Sequence, residues 1–314
     1  MLAGMNVVLT GAGGFIGRAL VRRLLENRDP LAIERLTLID LAVSPIEAAG
    51  VRVLTGSIAD PALRAEAFAI PTDLVFHLAS VPGGMAERDF DLGRQVNLDA
   101  TLALLEKSRS TGRAPRFVFA SSIAVLGSAL PDVVDDATPL RPTLSYGTHK
   151  VIGELLVEDF SRRGWIDGRS VRLPGIVARP PQRTGQLSAF MSDIIRELAA
   201  GRRYECPVRA ESTTWLMSVH QAVDNLLHAA RLSPAHVRTW TLPALRSSMS
   251  ELAAAVGTAL GRDTAGLVTY QSNPELETCF GHYPRLLTPA AEAAGFRHDG
   301  SLDVLVRRAL EPVT

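Results

Sequence analysis

The feature that most limits the folds open to this chain is a glycine-rich turn close to its beginning. Residues 10–17 read Thr-Gly-Ala-Gly-Gly-Phe-Ile-Gly; they follow a short apolar run and lead into a helical pattern. Gly11 and Gly14 let backbone N–H groups and the positive end of a helix approach a pyrophosphate, while Gly17 permits close packing of helix on strand. The spacing differs from the commoner G-x-G-x-x-G, and an ordinary tight turn is the alternative interpretation.

Short apolar runs alternate with longer helical patterns through the first half of the chain. The predicted strands span residues 6–10, 35–40, 51–55, 74–78, 116–120 and 170–173, and the predicted helices span residues 17–27, 61–68, 90–111 and 146–163. The runs are mostly apolar on both faces, as expected for parallel strands that helices cover on either side. The alternation predicts a doubly wound parallel α/β sheet.

After residue 178 the alternation loosens. A loop rich in proline and arginine is followed by predicted helices at 188–200, 219–231 and 250–260. We expect a nucleotide-binding domain over residues 1–178 and a smaller C-terminal lobe over residues 179–314. This lobe is expected to bind mainly the substrate, and some of its segments are expected to return to the sheet. Residues 180–188 are expected to border the substrate.

Charge and cysteine content exclude several classes of protein. Lys and Arg number 33, as do Asp and Glu, so the chain lacks the basic field with which nucleic-acid binders neutralise phosphates. Cys206 and Cys279 are too few for a disulfide framework or a zinc cage, and we interpret them as reduced thiols. The histidines, among them His77, His149 and His220, lack the pairing of a metal site, so no metal is expected.

No segment of the sequence resembles a targeting signal or a membrane span. The first residues lack a cationic segment followed by an apolar stretch and a cleavage site, and no uninterrupted apolar run approaches the ~20 residues needed to cross a bilayer. We therefore expect a cytoplasmic protein that binds neither membranes nor nucleic acid.

An acidic residue ends the second predicted strand. Asp40 follows the last glycine of the turn by about 20 residues, where a carboxylate can accept hydrogen bonds from the ribose hydroxyls of an adenosine. Residues 41–43 are Leu-Ala-Val, so no adjacent arginine would compensate a ribose 2′-phosphate. The pattern favours NAD over NADP, with a role as a turn residue or helix N-cap as the alternative for Asp40.

A second group of polar residues suits proton transfer. Ser122 follows a predicted strand, and Tyr146 and Lys150 are four residues apart on a predicted helix, so they share one face. A tyrosinate base at neutral pH needs a pKa about 3 units below the usual ~10, or roughly 4 kcal/mol. A nearby ammonium and an oxidised nicotinamide ring can favour that ionisation in a desolvated pocket, and Lys150 can also hydrogen-bond the nicotinamide ribose. A solvated helix face is the alternative for the Tyr-Lys pair.

These residues form part of a wider pattern, which resembles the extended short-chain dehydrogenase/reductase superfamily with its Rossmann nucleotide-binding domain. The pattern comprises the glycine turn, Asp40, residues 75–79, Asn97, Ser122, Tyr146, Lys150 and residues 173–176. The resemblance covers almost the whole chain. It implies that Ser122 orients the substrate oxygen, that Tyr146 is the base, and that Lys150 holds the ribose and lowers the pKa of Tyr146.

The resemblance also implies which residues contact NAD. They are Gly11, Gly14, Phe15, Ile16, Gly17, Asp40, Ser57, Ile58, Leu78, Ala79, Ser80, Asn97, Tyr146, Lys150, Pro174 and Ile176. Within this set Ile58 would flank the adenine, and residues 174–176 would contact the carboxamide. The family usually has Gly-Asp where this chain has Gly56-Ser57.

A closer resemblance concerns the substrate. Residues 86–93, 146–156, 161–168, 206–208 and 215–218 are similar to those of superfamily members that use NAD to oxidise the C2 hydroxyl of D-erythronate, a four-carbon sugar acid, to a 2-oxo acid. We therefore expect NAD-dependent oxidation of a small sugar acid by Ser122, Tyr146 and Lys150. An arginine of the C-terminal lobe would grip the carboxylate. The candidates are Arg179, Arg183, Arg202, Arg203 and Arg209, and we place Arg179 in the substrate site.

Two other functions stay open. Dehydratases of the superfamily have an Asp-Glu pair directly after the catalytic hydroxyl residue, whereas Ile123 and Ala124 follow Ser122, so elimination is disfavoured. Epimerases need no such pair, and a nucleotide-sugar epimerase with tightly held NAD is the enzymatic alternative. A non-catalytic NAD sensor could keep the glycine turn, but such proteins commonly lack the Tyr or the Lys that this chain has.

The helices predicted at 90–111 and 146–163 resemble the pair that forms a four-helix dimer contact in this superfamily. Apolar residues such as Leu102, Leu104 and Leu105 extend beyond one narrow stripe. We expect a homodimer, with packing inside one protomer as the alternative use of these leucines.

Overall fold

The computed structural model describes residues 4–26, 31–181, 188–233 and 237–312. Its strands are β1 (Met5–Thr10), β2 (Ile33–Asp40), β3 (Val51–Thr55), β4 (Leu74–His77), β5 (Arg116–Ser122), β6 (Val133–Val134), β7 (Asp167–Leu173), β8 (Gly175–Val177), β9 (Tyr204–Cys206), β10 (Thr213–Ser218), β11 (Thr239–Thr241), β12 (Leu245–Ser248), β13 (Val268–Tyr270) and β14 (Arg285–Leu286).

The helices alternate with these strands in the first half of the chain and dominate the second. They are α1 (Phe15–Glu26), α2 (Pro61–Ala67), α3 (Gly83–Arg88), α4 (Phe90–Arg94), α5 (Ala100–Ser110), α6 (Ser145–Arg162), α7 (Phe190–Ala199), α8 (Val219–Arg231), α9 (Met249–Leu260), α10 (Pro274–Phe280), α11 (Pro289–Ala293) and α12 (Leu302–Leu310). Within the described ranges, none of the helices is both long and apolar enough to span a membrane.

A seven-stranded parallel sheet with the order β11-β7-β5-β4-β1-β2-β3 forms the centre of the structure. The chain runs outward from β1 in one direction through β2 and β3, and in the other through β4, β5 and β7. The order therefore reverses between β1 and β4, which is where doubly wound sheets bind ligands at the carboxyl ends of their strands. The predicted doubly wound α/β fold is confirmed.

The apolar strands have this arrangement because both faces of the sheet are buried. On β1, Val7 and Leu9 pack into one hydrophobic cluster and Val8 packs into the cluster on the opposite face. Phe76 and Val75 divide in the same way on β4. Side chains of a strand alternate between faces, so a continuous apolar run needs helices on both sides.

One strand begins earlier than predicted, because its first residues are polar. The prediction began the strand at residue 170, but β7 begins at Asp167. Arg169 is buried there because it pairs with the Asp167 carboxylate at 2.8 Å and donates to the Leu232 carbonyl at 2.5 Å. A charged residue can occupy a buried strand position when its donors are paired in this way.

The helix predicted over residues 90–111 is divided. Between α4 and α5 lies a π-helical turn, Gln95–Asp99. Asn97 is buried in this turn, where its side chain accepts from the Val81 N–H at 2.7 Å and donates to the Val81 carbonyl at 3.0 Å. Asn97 therefore fixes the segment after β4, and π turns of this kind are frequent at functional sites.

The C-terminal part of the chain is divided between two cores. Helices α7, α9 and α12 pack around a second hydrophobic cluster, next to the small sheet β12-β10-β8. In contrast, β11 pairs with β7 in the central sheet and α8 packs against α1. The assignment of residues 179–314 mainly to a substrate-binding lobe stays a prediction.

A buried histidine joins the central strands at the point where the strand order reverses. Thr10 Oγ1 lies 2.7 Å from His77 Nδ1 and accepts from the Ala79 N–H at 3.3 Å. His77 Nε2 lies 2.8 Å from Thr101 Oγ1, whose hydroxyl donates to the Asn97 carbonyl. Because the Thr101 hydrogen is already used, Nε2–H donates to Thr101 and Nδ1 accepts from Thr10. When His77 is neutral, each donor and acceptor in this series of hydrogen bonds thus has a partner.

Protonation of His77 would disrupt this chain of hydrogen bonds. Burial, with the nearby Lys150 charge, lowers the pKa of His77 from 6.5 to about 3. The unfolded chain binds a proton below pH 6.5 that the folded chain does not, so this histidine stabilises the fold above pH 6.5 and its contribution is lost as the pH falls toward 3.

We predict that His77→Gln makes stability less sensitive to acid. Between pH 7 and pH 4 the free energy of unfolding of the wild type should fall by about 3 kcal/mol more than that of the variant, because glutamine does not titrate. Urea denaturation at the two pH values measures the difference. The matched control is His298→Gln, since His298 is exposed. Equal acid sensitivity of wild type and His77→Gln would contradict the prediction.

Candidate active site

The glycine turn between β1 and α1 packs so closely that it excludes side chains. Gly11 has a φ of +77°, and a Cβ atom on it would lie 2.6 Å from the Ala79 nitrogen. A Cβ on Gly17 would overlap the Gly11 carbonyl oxygen. A Cβ on Gly13, which the sequence analysis did not single out, would overlap the carbonyl oxygen of Ala42. The turn therefore leaves bare backbone at the start of α1, which suits a pyrophosphate.

Asp40 lies at the end of β2, beside this turn. Its carboxylate accepts from the Gly13 N–H at 2.9 Å and from the Ala42 N–H at 3.4 Å. These bonds give Asp40 the role of a turn residue, which the sequence left open. The side chain is partly exposed, so its remaining acceptor capacity faces solvent, where ribose hydroxyls could approach.

A cleft of about 470 Å³ opens at the carboxyl edge of the sheet. Of the residues that the sequence assigned to cofactor, catalysis or substrate, those that line it are Gly11, Gly14, Phe15, Ile16, Gly17, Leu78, Ser80, Ser122, Tyr146, Lys150, Pro174, Ile176 and Arg179. Asp40, Ser57, Ile58, Ala79 and Asn97 lie outside its lining. The structure thus gathers residues from five separated segments of the chain at one edge.

The two residues assigned to the adenine end have local roles in this structure. The Ser57 hydroxyl accepts from the Ala59 N–H at 3.1 Å, closing a small turn after β3. The Ile58 side chain is buried in the cluster that includes Leu54 and Leu63. Their contacts with an adenine stay predictions.

Three polar side chains surround the Tyr146 hydroxyl. Ser80 and Ser122 hydrogen-bond to it, and the Arg179 guanidinium lies close enough to interact with it electrostatically. Burial is nevertheless the largest influence and raises the pKa of Tyr146, while the two hydroxyls and Arg179 act in the opposite direction. In the protein alone, Tyr146 is therefore a protonated phenol at neutral pH. The sequence analysis placed Ser80 only among the cofactor contacts.

Lys150 lies beneath Tyr146 on α6. Its Nζ atom donates to the Ala120 carbonyl at 2.7 Å and lies 4.7 Å from the centre of the Phe119 ring. Gly153 permits this close approach of α6 to β5, since a Cβ there would lie 2.6 Å from Cζ of Phe119. Burial lowers the pKa of Lys150 to about 7, while the Glu154 carboxylate acts in the opposite direction.

The proposed arginines differ sharply in position. Arg179 lines the cleft, and its backbone carbonyl accepts a hydrogen bond from Arg196 on α7. Arg202 pairs with Glu197 at the surface, and the exposed Arg209 pairs with the buried Glu277. Arg203 is exposed and Arg183 lies outside the described residues. Among the arginines that the structure describes, Arg179 is the one that lines the cleft, and its charge acts on Tyr146.

The sequence analysis missed a set of buried polar residues behind the catalytic face. Ser121, Glu154 and Arg172 form hydrogen bonds with one another beneath Lys150. The sequence contains a signal for Glu154, because Tyr146, Lys150 and Glu154 follow one another at intervals of four on one helix. In the described part of the chain, no three His, Cys, Asp or Glu side chains meet in a way that could hold a metal ion.

Comparison with known proteins places the chain in a family. The model of the NAD dependent epimerase/dehydratase family matches residues 7–235. D-erythronate dehydrogenase from Cupriavidus necator is 43% identical over 98% of each chain, and D-erythronate dehydrogenase from Haemophilus influenzae is 33% identical over 98% of this chain and 99% of its own.

Solved structures agree with this placement. A nucleoside-diphosphate-sugar epimerase from Agrobacterium tumefaciens superposes with a TM-score of 0.90 and 32% identity, covering 96% of this chain and 92% of its own. An L-threonine dehydrogenase from Clostridium difficile superposes with a TM-score of 0.83 over 98% of each chain, and at 22% identity it shows the shared fold alone. The chain therefore belongs to the NAD dependent epimerase/dehydratase family and is an oxidoreductase of the extended short-chain dehydrogenase/reductase type.

Proposed function

We propose that this protein uses NAD to oxidise the C2 hydroxyl of a small sugar acid resembling D-erythronate. The observation that carries the proposal is that Arg179 lines the same cleft as Tyr146 and lies within electrostatic range of it. In a 2-hydroxy acid the carboxylate carbon is bonded directly to the reacting carbon. A cation that binds this carboxylate must therefore lie in the same cleft as the proton acceptor, as Arg179 does. The two relatives named D-erythronate dehydrogenase support the same substrate class.

The residues of the cleft divide the chemistry between them. Ser122 and Ser80 would hydrogen-bond the substrate hydroxyl or the Tyr146 oxygen and hold the two in line. Tyr146 would accept the hydroxyl proton as general base. Bound NAD would supply the hydride acceptor for C2 and a positively charged ring. Because burial alone raises the pKa of Tyr146, the base also needs the charges of Arg179 and Lys150 near it.

The residues present fit an NAD molecule. The turn at Gly11 and Gly17 exposes backbone at the start of α1, and Asp40 offers a carboxylate near the end of β2. The residue after Asp40 is Leu41, which is exposed and uncharged. A 2′-phosphate would therefore face a carboxylate with no adjacent cation.

We predict a preference for NAD over NADP of at least about tenfold in kcat/KM, or about 1.4 kcal/mol. Steady-state kinetics with each cofactor at a fixed acid concentration measures it. Asp40→Ser should narrow the preference, because it removes the negative charge that repels the 2′-phosphate. Equal kcat/KM for the two cofactors in the wild type would contradict the assignment.

A nucleotide-sugar epimerase is the second candidate, because the structure from Agrobacterium tumefaciens that superposes with a TM-score of 0.90 is named as a nucleoside-diphosphate-sugar epimerase. The two functions differ in the fate of the hydride. A dehydrogenase releases NADH at each turnover, whereas an epimerase returns the hydride to the sugar and leaves bulk NADH unchanged.

We predict that D-erythronate or a related 2-hydroxy acid, supplied with excess NAD, produces NADH in large molar excess over the enzyme. Absorbance at 340 nm measures the yield, and a panel of aldonic acids varies chain length and stereochemistry. UDP-glucose and UDP-galactose form the parallel arm of the assay. Formation of an epimer from either UDP-sugar, without NADH from any acid, would favour the epimerase.

We predict that substitutions of Tyr146 and Arg179 change different kinetic constants. Tyr146→Phe removes the base and should lower kcat by about 10²–10⁴-fold while NAD affinity stays close to that of the wild type. Arg179→Gln removes a buried charge-assisted contact worth about 1.5–3 kcal/mol and should raise KM for the acid about 10–100-fold. Initial rates over a range of acid concentrations separate the two effects. A Tyr146→Phe variant that keeps more than a tenth of kcat would point to a different base.

We also propose that the protein forms a homodimer through α4, α5 and α6. Phe90, Leu102 and Leu155 are exposed on these three helices at 56%, 40% and 60%. Leu104 and Leu105 are fully buried within the protomer, so intramolecular packing accounts for those two. The exposed residues offer an apolar surface from neighbouring helices that a second copy could cover.

We predict a mass of roughly twice 33.7 kDa in solution. Leu155→Glu should shift the protein toward the monomer, because it would place charge in the contact. Light scattering coupled to size exclusion measures both, and Val304→Glu, at another exposed apolar residue, is the control. A monomeric wild type at micromolar concentration would rule out the dimer.

A further inference from the structure

A buried carboxylate lies behind the catalytic face of α6. The Glu154 residue is 4% exposed, and its Oε1 atom accepts from the Ser121 hydroxyl at 2.5 Å. Arg172 on β7 grips the same carboxylate with two donors, Nε at 2.9 Å and Nη2 at 2.8 Å. A bidentate guanidinium and a hydroxyl together fix the position of this carboxylate.

Glu154 and Lys150 approach the same part of β5. They are four residues apart on α6, so their side chains lie one above the other on one face. Lys150 donates to the carbonyl of Ala120, and Glu154 accepts from the side chain of the next residue, Ser121. Two opposite charges are thus held beside adjacent residues of one strand, away from water.

We infer that Glu154 is a positioning residue: its buried carboxylate favours the charged form of the Lys150 side chain beside Tyr146. This inference rests on the proposed function, in which the Lys150 charge assists the base and binds the nicotinamide ribose. Glu154 itself does not line the cleft; its contact with the lining is the hydrogen bond that it accepts from the Ser121 hydroxyl. It acts through Lys150.

The buried Lys150 ammonium needs a negatively charged partner to stay protonated. Burial lowers the pKa of Lys150 to about 7 even though the Glu154 carboxylate acts in the opposite direction. Without that carboxylate, the desolvation of the ammonium would be opposed mainly by its hydrogen bond to the Ala120 carbonyl.

The other groups around Lys150 do not replace Glu154. His77 on β4 and His149 on α6 both have lowered pKa values, to which the Lys150 charge contributes, so they are neutral at neutral pH. The Tyr146 phenol is also neutral. The remaining charges are Arg172 on β7 and Arg179 at the cleft, which are positive, and Asp99 and Glu87, which act on His149 from the neighbouring helical segments.

The chain offers an unusually direct test, because Lys107 and Lys150 are its two lysines. Labelling lysine with ¹³C at Cε gives two signals, and Lys107→Arg assigns them. In the protein without substrate, we expect Glu154→Gln to lower the pKa of Lys150 by about one unit. Glu158→Gln, one turn further along α6 and exposed, makes the same change of charge and should leave the pKa unchanged.

Arg172→Gln separates the effect of charge from that of structure. It removes the positive partner of Glu154, so it should raise the pKa of Lys150, opposite to Glu154→Gln. If Glu154 had only a structural role, the pKa of Lys150 would shift in the same direction in both variants, or would not shift in either. Should Glu154→Gln fail to fold, Arg172→Gln still decides the question, since an unchanged or lowered Lys150 pKa would overturn the inference.

Kinetics supply the second readout. For acid oxidation, the alkaline limb of the kcat profile should move to lower pH by about the same one unit in Glu154→Gln, with little change in KM for the acid. A wild type that oxidises no acid would refute the proposed function and leave the NMR result standing. A wild type that oxidises the acid, with Lys150 titrating identically in the wild type and Glu154→Gln, would refute only the role of Glu154.

Discussion

The parallel pairing of the central strands is the constraint on which the rest of the structure depends. Parallel strands bring all their carboxyl ends to one edge, and β1, β4, β5 and β7 each end there with a different chemical group. The glycine turn follows β1, the segment with Ser80 follows β4, Ser122 ends β5, and Pro174 follows β7. The Thr10–His77–Thr101 hydrogen bonds join the first two of these strands at the point where the strand order reverses.

Burial sets the charge of the catalytic groups. Close packing of α6 on β5, which Gly153 permits, takes Lys150 out of water, and the half-buried Tyr146 is desolvated in the cleft. Desolvation disfavours the charged form of each group, so the pKa of the lysine falls and that of the tyrosine rises. Both shifts oppose a tyrosinate beside an ammonium. In the proposed function, the surrounding charges and hydroxyls bring the pair back toward the ionised state, and Glu154 and Arg179 act in that direction.

The C-terminal part of the chain adds what the sheet lacks. Arg179 follows β8, which belongs to the small sheet with β10 and β12, and Arg196 on α7 donates to its backbone carbonyl. In the proposed function, substrate recognition is thus connected to the second hydrophobic core, while proton transfer depends on α6 and the central sheet. This separation agrees with the range of names among the relatives, which share the fold and include dehydrogenases and epimerases.

The sequence by itself determined the doubly wound fold, the glycine turn and the Ser122, Tyr146 and Lys150 group, because apolar periodicity and glycine spacing are local properties of the chain. It did not reveal that β7 begins at Asp167, nor that a π turn divides the helix at Asn97, because distant partners satisfy these polar residues. The position of Arg179 in the lining of the cleft, the buried Glu154 and the directions of the pKa shifts were decided only by the tertiary structure. Desolvation and ion pairing depend on which side chains come into contact in the folded protein. The spacing of apolar residues along helices and strands does not show those contacts.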